Sequence, residues 1–212
     1  MKGRLIVLEG IDGCGKSTQI RRLAEWLPKS DLFPKKASLR ITREPGGSKL
    51  GKKLREFLLT KEEGESPLPL TELMLYAADR AQHVEEVIRP CLEKGDWVIS
   101  DRFSGSTFAY QGYGRKLNLE LIETLDLIAT NGLKPDLTLW LKISVEESIH
   151  RRKDMEDDRM EKEGMAFLNR VNDGFKRLAK KEKCVEIDAE KDADSVFQSI
   201  ENAINSRLRK MN

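Results

Sequence analysis

Residues 4–18 read Arg-Leu-Ile-Val-Leu-Glu-Gly-Ile-Asp-Gly-Cys-Gly-Lys-Ser-Thr, and this stretch decides the fold. Leu5 to Leu8 is a short apolar run with the length and composition of a buried parallel strand. Closely spaced glycines follow it, and the apolar residues after them have the spacing of an amphipathic helix, at Ile20, Leu23, Ala24 and Leu27. The order of strand, glycine-rich turn and helix predicts the first unit of an α/β sheet.

Part of this stretch fits the phosphate-binding pattern G-x-x-x-x-G-K-[ST], at Gly10, Gly15, Lys16 and Ser17. Glycines let backbone amide hydrogens turn toward a phosphate, because no Cβ is in the way. A helix that begins near Lys16 also points its positive end at that phosphate. The alternative is a glycine-rich turn before a surface helix, but the flanking strand and helix favour nucleotide binding. The expected phosphate-binding residues are Gly10, Ile11, Asp12, Gly13, Cys14, Gly15, Lys16, Ser17 and Thr18.

Further strands and helices alternate along the chain. Apolar runs predict strands at 37–42, 97–100, 136–143 and 184–187. Helical spacing predicts helices at 50–58, 70–89, 119–129, 167–178 and 196–208. Pro90 is expected to end the helix at 70–89, since proline cannot donate the next backbone hydrogen bond. Residues 64–69 are predicted to form a loop, and so is the polar stretch around Gly112 and Gly114.

This alternation predicts an α/β fold, in which helices cover both faces of a five-stranded parallel sheet. We expect residues 1–212 to form a single domain of this kind, with right-handed crossovers. Ligands bind beyond the carboxyl ends of the strands in such sheets. Polar pairs follow two of the strands, at Arg43-Glu44 and Asp101-Arg102. These pairs and the phosphate loop are therefore expected to share one site.

The bulk composition limits the kinds of partner. The 212 residues carry a net charge of +2, with acidic and basic residues interleaved. Since no basic patch stands out, we expect neither a nucleic acid nor a membrane as partner. Cys14, Cys91 and Cys184 lie far apart and predict neither a disulfide framework nor a zinc site. The sequence shows no signal-peptide pattern and no apolar run near the ~20 residues of a membrane span, so a cytoplasmic location is expected.

Phosphate loops occur in kinases, GTPases and motor proteins, so other residues must distinguish these classes. The Asn-Lys-x-Asp pattern with which GTPases read guanine is not in the sequence. Motor and translocase domains are usually longer, although Asp101 after Val98 and Ile99 resembles their metal-binding carboxylate. Arg102 beside Asp101 indicates instead that a second phosphate is bound, unless the two residues form only a local salt bridge.

Three more segments resemble motifs of the thymidylate kinases: Thr-Arg-Glu-Pro-Gly-Gly at 42–47, Tyr-Ala-Ala-Asp-Arg-Ala-Gln-His at 76–83, and Asp-Arg-Phe-Ser-Gly-Ser-Thr-Phe-Ala-Tyr-Gln at 101–111. Together with the phosphate loop they cover nearly the whole chain in the family's order. The resemblance implies a P-loop NTPase fold like that of nucleoside monophosphate kinases. It also implies transfer of the ATP γ-phosphoryl group to dTMP, giving dTDP for dTTP synthesis. The remaining hypotheses are another nucleoside or nucleoside monophosphate kinase of this fold, and an ATP-dependent regulatory or nucleic-acid-associated module.

The resemblance assigns three residues to the nucleoside of dTMP. Asp12 matches the carboxylate that accepts a hydrogen bond from the sugar 3′-hydroxyl, although it is also suited to capping the loop. Tyr76 matches an aromatic position, more often Phe in the family, that stacks on thymine; otherwise it is a core residue. Arg80 lies four residues later, on the same helix face, and matches the arginine that donates to a thymine carbonyl.

The dTMP phosphate and the metal are assigned in the same way. Arg102 matches the arginine that holds the dTMP phosphate, and Arg43 is expected to assist it, because a guanidinium fork suits phosphate oxygens. Glu44, the next residue of the same motif, is also expected to belong to the dTMP site. Mg²⁺ is the implied cofactor, bound with ATP. Its expected ligands are the Ser17 hydroxyl and Asp101, directly or through water. The alternative role of Asp101 is to position the acceptor phosphate.

Four residues of the 101–111 motif match positions near the base and sugar. Ser106 and Thr107 match positions that contact the edge of the base, and Gln111 lies close by. Tyr110 matches the ring that crowds the sugar 2′ carbon and so favours deoxyribose. Each of the four is alternatively a residue on a helix surface.

A charged stretch near 148–162 resembles the mobile lid of the family, although its composition alone indicates a solvated segment. Gly13 stands where some thymidylate kinases have a loop arginine, and the bacterial type supplies that cation from the lid. The expected catalytic cations are therefore Lys16 and Arg102 together with Arg151, Arg152 and Arg159 of the lid. The resemblance further implies a homodimer, with ATP and dTMP as the small-molecule substrates.

Overall fold

The computed structural model describes residues 3–60, 66–154, 158–181 and 184–209. Within these residues a five-stranded, fully parallel sheet has the order β2-β3-β1-β4-β5. The strands are β1 (Leu5–Glu9), β2 (Leu39–Arg43), β3 (Trp97–Asp101), β4 (Leu137–Lys142) and β5 (Val185–Asp188). The strand carrying the phosphate loop is central: Leu8 is in register with Asp101 on one side and with Leu139 on the other. The predicted α/β fold with a five-stranded parallel sheet is therefore confirmed.

Helices connect the strands. They are α1 (Lys16–Trp26), α2 (Lys49–Leu59), α3 (Pro69–His83), α4 (Arg89–Glu93), α5 (Ser104–Thr107), α6 (Leu119–Thr130), α7 (Val145–Arg151), α8 (Met165–Lys181) and α9 (Ala193–Leu208). Of these, α1, α2, α3, α6, α8 and α9 correspond to predicted helices, whereas α5 and α7 were not predicted. Side-chain caps begin several of them; the Ser48 hydroxyl, for example, accepts a hydrogen bond from the Gly51 amide at the start of α2. Among the described helices, none combines the length and apolar composition needed to cross a membrane.

Apolar side chains fill both faces of the sheet. On one face, Ile6, Leu8 and Ile99 pack in a cluster that includes residues of α1 and α9. On the other, Val7 and Val98 pack with residues of α4 and of the segment before it. Because β1 is buried on both faces, its first four residues are continuously apolar rather than alternating, and only Glu9 at its end is charged. This two-sided burial holds the end of β1, and hence the phosphate loop, in place.

Pro90 does not end the long helix as the sequence analysis expected. A π-helical turn, Val84–Ile88, connects α3 directly to α4, which contains Pro90. In this turn the Arg89 amide donates to the Val84 carbonyl oxygen, five residues back, instead of four. The wider turn changes the hydrogen-bond register just before the proline, so the helical path continues to Glu93.

The predicted loop around Gly112 and Gly114 is helical instead. α5 continues into a second π-helical turn, Phe108–Gly114. These glycines permit close packing rather than chain reversal. A Cβ on Gly114 would lie 2.6 Å from the Phe167 ring of α8, and one on Gly112 would lie 2.6 Å from Leu119. The sequence alone does not distinguish such a glycine from a loop glycine.

The predicted loop at 64–69 and lid at 148–162 lie partly outside the described residues, at 64–65 and 155–157. The described part of the lid comprises α7, the turn after it, and residues 158–163, which end in a short 3₁₀ helix, Glu161–Glu163. Residues 158–163 lie near the carboxyl edge of the sheet, since Asp158 and Met160 help to line a pocket there.

Candidate active site

The phosphate loop, residues 10–15, connects β1 to α1, and at two of its glycines a Cβ would collide with neighbouring backbone. Gly10 has a φ of 141°, and a Cβ there would lie 2.6 Å from the carbonyl oxygen of Leu141. Gly13 has a φ of 80°, and its Cβ would lie 2.8 Å from the carbonyl oxygen of Ser148. Larger residues would displace the backbone at both points. The loop leads into the first turn of α1, whose backbone amides have no helical partner and can bind an anion.

Lys16 is buried beneath this loop. Its Nζ donates to the carbonyl oxygens of Gly10 (2.9 Å) and Ile11 (3.2 Å), and lies 3.6 Å from the Asp12 carboxylate. Burial opposes the charge, but anionic neighbours that include Asp12 and Asp101 raise the pKa of Lys16 above its ordinary value. Lys16 is therefore a cation held at the phosphate loop.

Arg102 joins the end of β3 to the phosphate loop. Its Nη2 donates to both carboxylate oxygens of Asp12, at 2.7 and 2.8 Å, and its Nη1 donates to the Gly10 carbonyl oxygen at 2.9 Å. The Arg102 backbone is left-handed, with a φ of 70°, which turns the chain sharply after the strand. Burial alone would raise the pKa of Asp12, but Arg102 and Lys16 lower it well below its usual range. The loop and β3 therefore meet in a cluster of charged side chains.

A pocket beside this cluster, here called the central pocket, lies between α2, α3, α5 and the described part of the lid. Nine of the ten residues that the sequence assigns to dTMP line it: Asp12, Glu44, Tyr76, Arg80, Arg102, Ser106, Thr107, Tyr110 and Gln111. Arg43, the tenth, is exposed and does not line the pocket. Residues far apart in the sequence thus form one concave surface next to the phosphate loop.

Arg80 is held rigidly in the wall of the central pocket. It is only 3% exposed, and it donates to Glu44 (2.8 Å), Asp126 (3.0 Å) and the Thr107 hydroxyl (2.9 Å). Burial opposes ionisation of Glu44, but Arg80 and His83 lower its pKa below the ordinary value. Three of the five guanidinium N–H groups are used in these bonds, which leaves two for a ligand.

The two tyrosines of the pocket have different surroundings. Tyr76 is half-buried, and among the described residues its hydroxyl has no hydrogen-bond partner. Tyr110 is buried against the rings of Phe167 and Phe175, with centroid distances of 6.3 and 6.2 Å. The Arg102 guanidinium lies 5.2 Å from the centroid of the Tyr110 ring. Tyr110 is therefore fixed next to Arg102, whereas Tyr76 presents its ring to the pocket.

The three lid arginines point to three different places. Arg151 donates to Glu147 (2.8 Å) and the Ala189 carbonyl oxygen (2.9 Å), beside a second pocket on the outer side of the phosphate loop. Arg152 pairs with Glu161 at 2.8 Å and helps to lower the pKa of Asp12. Arg159 donates to the carbonyl oxygen of Leu58 and to Glu72, away from the phosphate loop.

The predicted metal ligands lie on the two sides of the phosphate loop. Ser17 is exposed in the first turn of α1, and Asp101 ends β3. Asp101 Oδ1 is buried and accepts no hydrogen bond within the described part of the chain. Those residues contain no cluster of three or more His, Cys, Asp or Glu side chains that could hold a metal alone. Mg²⁺ commonly uses one or two protein oxygens together with water and phosphates, so a hydroxyl and an orphan carboxylate oxygen fit it.

Sequence reasoning missed three charged residues of this site. Arg55 lines the central pocket from α2 and donates to the Pro45 carbonyl oxygen at 3.0 Å. Glu72 is fully buried and accepts hydrogen bonds from Gln111 (2.8 Å), Arg115 (3.1 Å) and Arg159. Glu9, the last residue of β1, is also buried and faces the start of α5. Glu72 had a signal in the sequence, since it precedes Tyr76 and Arg80 at the spacing of one helix face.

Comparisons with known proteins place the whole chain beside a single family. Residues 8–200 match the family model described as thymidylate kinase. A thymidylate kinase from Synechococcus sp. (strain CC9605) is 58% identical over 98% of this chain and 100% of its own length. One from Prochlorococcus marinus (strain MIT 9303) is 58% identical over 96% of this chain and 94% of its own. The crystal structure of thymidylate kinase from Ehrlichia chaffeensis superposes with a TM-score of 0.77 at 31% identity, covering 97% of this chain and all of that one.

Proposed function

Because this chain belongs to the thymidylate kinase family and uses ATP to phosphorylate dTMP to dTDP, we propose that the phosphate loop holds ATP and the central pocket holds dTMP. The observation that carries this assignment is the position of Arg102, between the phosphate loop and the pocket wall. In the reaction, an oxygen of the dTMP phosphate attacks the γ-phosphorus of ATP. The bond to the β,γ-bridging oxygen breaks, and ADP leaves.

The acceptor phosphate binds to Arg102, with Arg55 in the pocket wall and Arg43 close to Arg55. Arg102 is already buried and paired with Asp12. A phosphate that binds to it therefore adds a second favourable charge interaction with little reorganisation of the site. The proximity of Arg43 and Arg102 contributes, after burial, to lowering the pKa of Arg55, which indicates a concentration of positive charge. An anionic phosphate with two negative charges relieves this repulsion.

Thymine binds against the Tyr76 ring, and Arg80 donates one of its remaining N–H groups to a base carbonyl. Glu44 supports the base site from behind, because its carboxylate holds Arg80 in place. Thr107 and Gln111 lie at the edge of the base, with Ser106 between them and Arg102. Asp12 accepts from the sugar 3′-hydroxyl, and Tyr110 fills the space that a ribose 2′-hydroxyl would need. The buried, mutually bonded state of these groups supports a rigid pocket.

On the donor side, the ATP phosphates bind to residues 10–18, including Lys16. The second pocket, lined by Cys14, Gly15 and Ala193 among others, lies next to this loop and suits the nucleoside of ATP. Ser17 and Asp101 would hold Mg²⁺. When bound, this ion neutralises charge on the phosphate oxygens of the donor.

The lid, residues 148–162, closes over both nucleotides and excludes water. Arg152 is best suited among the three lid arginines to reach the transferred phosphoryl group, since its side-chain carbons lie within 3.4 Å of where a Cβ on Gly13 would be. Arg151 lies toward the ATP side, and Arg159 anchors the lid to α2 and α3.

We further propose that the enzyme is a cytoplasmic homodimer. Three adjacent helices expose apolar side chains at helical spacing: Leu50 and Phe57 on α2, Leu70 and Met74 on α3, and Leu121, Leu127 and Ile128 on α6. This surface is here called the α2-α3-α6 face. Apolar patches of this kind on soluble proteins are typical of protein–protein interfaces, and a second copy of the chain would cover it by two-fold symmetry.

The function is tested by measuring ADP release from ATP and Mg²⁺ with dTMP, dUMP, dCMP, UMP, AMP or thymidine as acceptor. We expect a strong preference for dTMP, with UMP rejected because of its ribose and thymidine rejected because it lacks the phosphate that Arg102 binds. Faster turnover of another acceptor would contradict the proposed base pocket. Turnover of thymidine would contradict the role of Arg102.

A further inference from the structure

We propose that Glu9 is a positioning residue for phosphoryl transfer, which acts through Ser106 to hold Arg102 in its working orientation. This inference rests on the proposed binding of the dTMP phosphate to Arg102. Glu9 lies outside the phosphate-binding pattern, directly before its first glycine, and the sequence analysis assigns it no role.

The Glu9 carboxylate is 2% exposed and accepts hydrogen bonds from the first turn of α5. Oε1 accepts from the backbone amides of Phe103 (2.9 Å) and Ser106 (3.1 Å), and Oε2 accepts from the Ser106 hydroxyl at 2.6 Å. Glu9 therefore performs the function of a capping residue for α5, although it belongs to another element, 94 residues earlier. Gly105 leaves the necessary space, since a Cβ there would lie 3.0 Å from Oε1.

The Ser106 hydroxyl connects Glu9 to Arg102. Above the pKa of Glu9 its carboxylate is ionised and can only accept, so the single hydroxyl hydrogen of Ser106 must point at Glu9. The lone pairs of the hydroxyl then face Arg102, whose Nη1 donates to it at 3.0 Å. The same Nη1 donates to the Gly10 carbonyl oxygen at 2.9 Å. The Glu9 carboxylate thus determines the direction of a hydrogen-bond chain that ends at the phosphate-binding guanidinium.

The negative charge of Glu9 also compensates the positive charges near the end of this hydrogen-bond chain. Its ionised carboxylate is among the groups that favour the cationic forms of both Arg102 and Arg80, two of the arginines that line the central pocket. Removal of the negative charge would leave the two guanidinium groups less compensated at the site where an anion must bind in a fixed position. Neutral Gln at this position keeps the shape of the side chain but places an amide that donates toward Ser106, which reverses the required direction.

A purely structural Glu9 would stabilise the fold without any selective effect on dTMP. A positioning Glu9 affects the acceptor and not the donor, because the phosphate loop still has its own glycines, Lys16 and the α1 amides. The two possibilities therefore differ in the ratio of the KM values for the two substrates.

The test compares Glu9→Gln, Ser106→Ala and the double variant with the wild type at pH 8, where the Glu9 carboxylate is ionised. We expect each single variant to raise the KM for dTMP about tenfold, the effect of one hydrogen bond to a charged group, while the KM for ATP changes less than about twofold. We expect the double variant to be no worse than the single ones, because both remove the same chain of contacts. Ser104→Ala is the matched control: it removes a hydroxyl from the same helical turn, and its KM values should equal those of the wild type.

Three outcomes would overturn the inference: unchanged KM values for dTMP, parallel increases for dTMP and ATP, or effects of Glu9→Gln and Ser106→Ala that multiply in the double variant. Ser106→Ala keeps the proposal testable if Glu9→Gln folds poorly, because it leaves the carboxylate and its two amide bonds in place. Acceptor preference of the wild type, measured separately, distinguishes a failure of the proposed function from a failure of this inference.

Discussion

At the scale of single residues, the site consists of buried charges that compensate one another. Arg80 and Glu44 are 3% and 4% exposed, and each would be costly to bury alone. Their pairing lets a guanidinium remain in a dry pocket wall with two N–H groups unused. A preorganised donor of this kind loses little entropy when a base carbonyl binds to it.

Arg80→Ala should therefore have two effects. The KM for dTMP should rise much more than that for ATP, because the donor to the base is lost. The free energy of unfolding should also fall by about 3 kcal/mol, since Glu44 would remain buried without its main partner. Steady-state kinetics well below the melting temperature and urea titrations measure the two effects.

Arg89→Ala, which breaks a more exposed pair with Glu85, is the control and should change stability by less than about 1 kcal/mol. Equal effects on both KM values would contradict a base-binding role.

Glu9 should make the stability of the fold depend on pH. Burial raises its pKa from 4.5 to about 7, although Ser106, Arg102 and Phe103 partly oppose this shift. Between these two values the folded state holds the proton more tightly than the unfolded state, so stability falls as the pH rises. The full difference corresponds to roughly 3 kcal/mol.

Urea unfolding of the wild type and Glu9→Gln between pH 4.5 and 8 measures this contribution, because all other titrating groups are common to both proteins. We expect the wild type to lose stability relative to the variant as the pH rises. A stability difference that stays constant over this range would refute the raised pKa.

At the scale of secondary-structure elements, the two π-helical turns let the chain remain helical at a proline and at two glycines. The turn at 84–88 carries the helical path past Pro90, and the turn at 108–114 lets α5 continue along α8. In both cases the local rule, that proline or glycine interrupts a helix, is outweighed by packing of the element against its neighbours. Tyr110 and Gln111 reach the pocket from the second of these turns.

Close approach of α8 to the second turn can be tested with Gly174→Ala. A Cβ at Gly174 would lie 2.7 Å from the Tyr113 ring and 2.9 Å from the Tyr113 Cβ. We expect a loss of about 1–3 kcal/mol in the free energy of unfolding, although alanine is the better helix former. Lys176→Ala on the exposed side of α8 should stay within about 0.5 kcal/mol of the wild type. A stabilised Gly174→Ala protein would show that the two elements can separate without cost.

The lid is the other element whose role can be tested. Arg152→Ala should lower kcat by about 100-fold and change both KM values only a few-fold, because a cation that acts on the transferred group contributes mainly in the transition state. Arg151→Ala and Arg159→Ala are the matched comparisons within the lid and should lower kcat less. If Arg159→Ala has the largest effect on kcat, the pairing of Arg159 with Glu72 must be broken in the working enzyme.

At the scale of the whole molecule, the parallel sheet places the residues of the site at one of its edges. The α2-α3-α6 face, on the outer side of the helices, is apolar. Parallel strands end at the same edge, so β1, β2 and β3 deliver Glu9, Arg43 and Asp101 to neighbouring positions. Because α2 and α3 also form the wall of the central pocket, a partner on their outer side would stiffen that wall.

The proposed dimer predicts that the wild type has twice the mass of one chain in light scattering. Phe57→Glu combined with Met74→Glu should convert it to a monomer, since two charges at 47% and 53% exposed positions would face each other across a symmetric contact. Met165→Glu, at an apolar position with 48% exposure on α8, should leave the mass unchanged. A wild type that is monomeric at micromolar concentration would refute the proposed interface.

The sequence alone determined the fold class, the phosphate loop and the polar clusters of the site. These features depend on local chemistry: an apolar run buried on both faces, glycines with positive φ, and side chains placed just after strands. The motifs at 42–47, 76–83 and 101–111 also identified most of the residues that line the central pocket. The first and third of these motifs follow strands that end at the same edge of the sheet, and α3 carries the second.

Only the tertiary structure decided which carboxylate pairs with which cation in the site. Glu9, Glu72 and Arg55 occupy the site through contacts with distant elements, and neither spacing nor composition states which buried carboxylate faces which cation. The helical state of residues 104–114 likewise depends on packing against α8. The physical reason is the same in each case: the free energy of burying a polar group or accepting a glycine depends on the atoms around it, and the fold brings those atoms from remote parts of the chain.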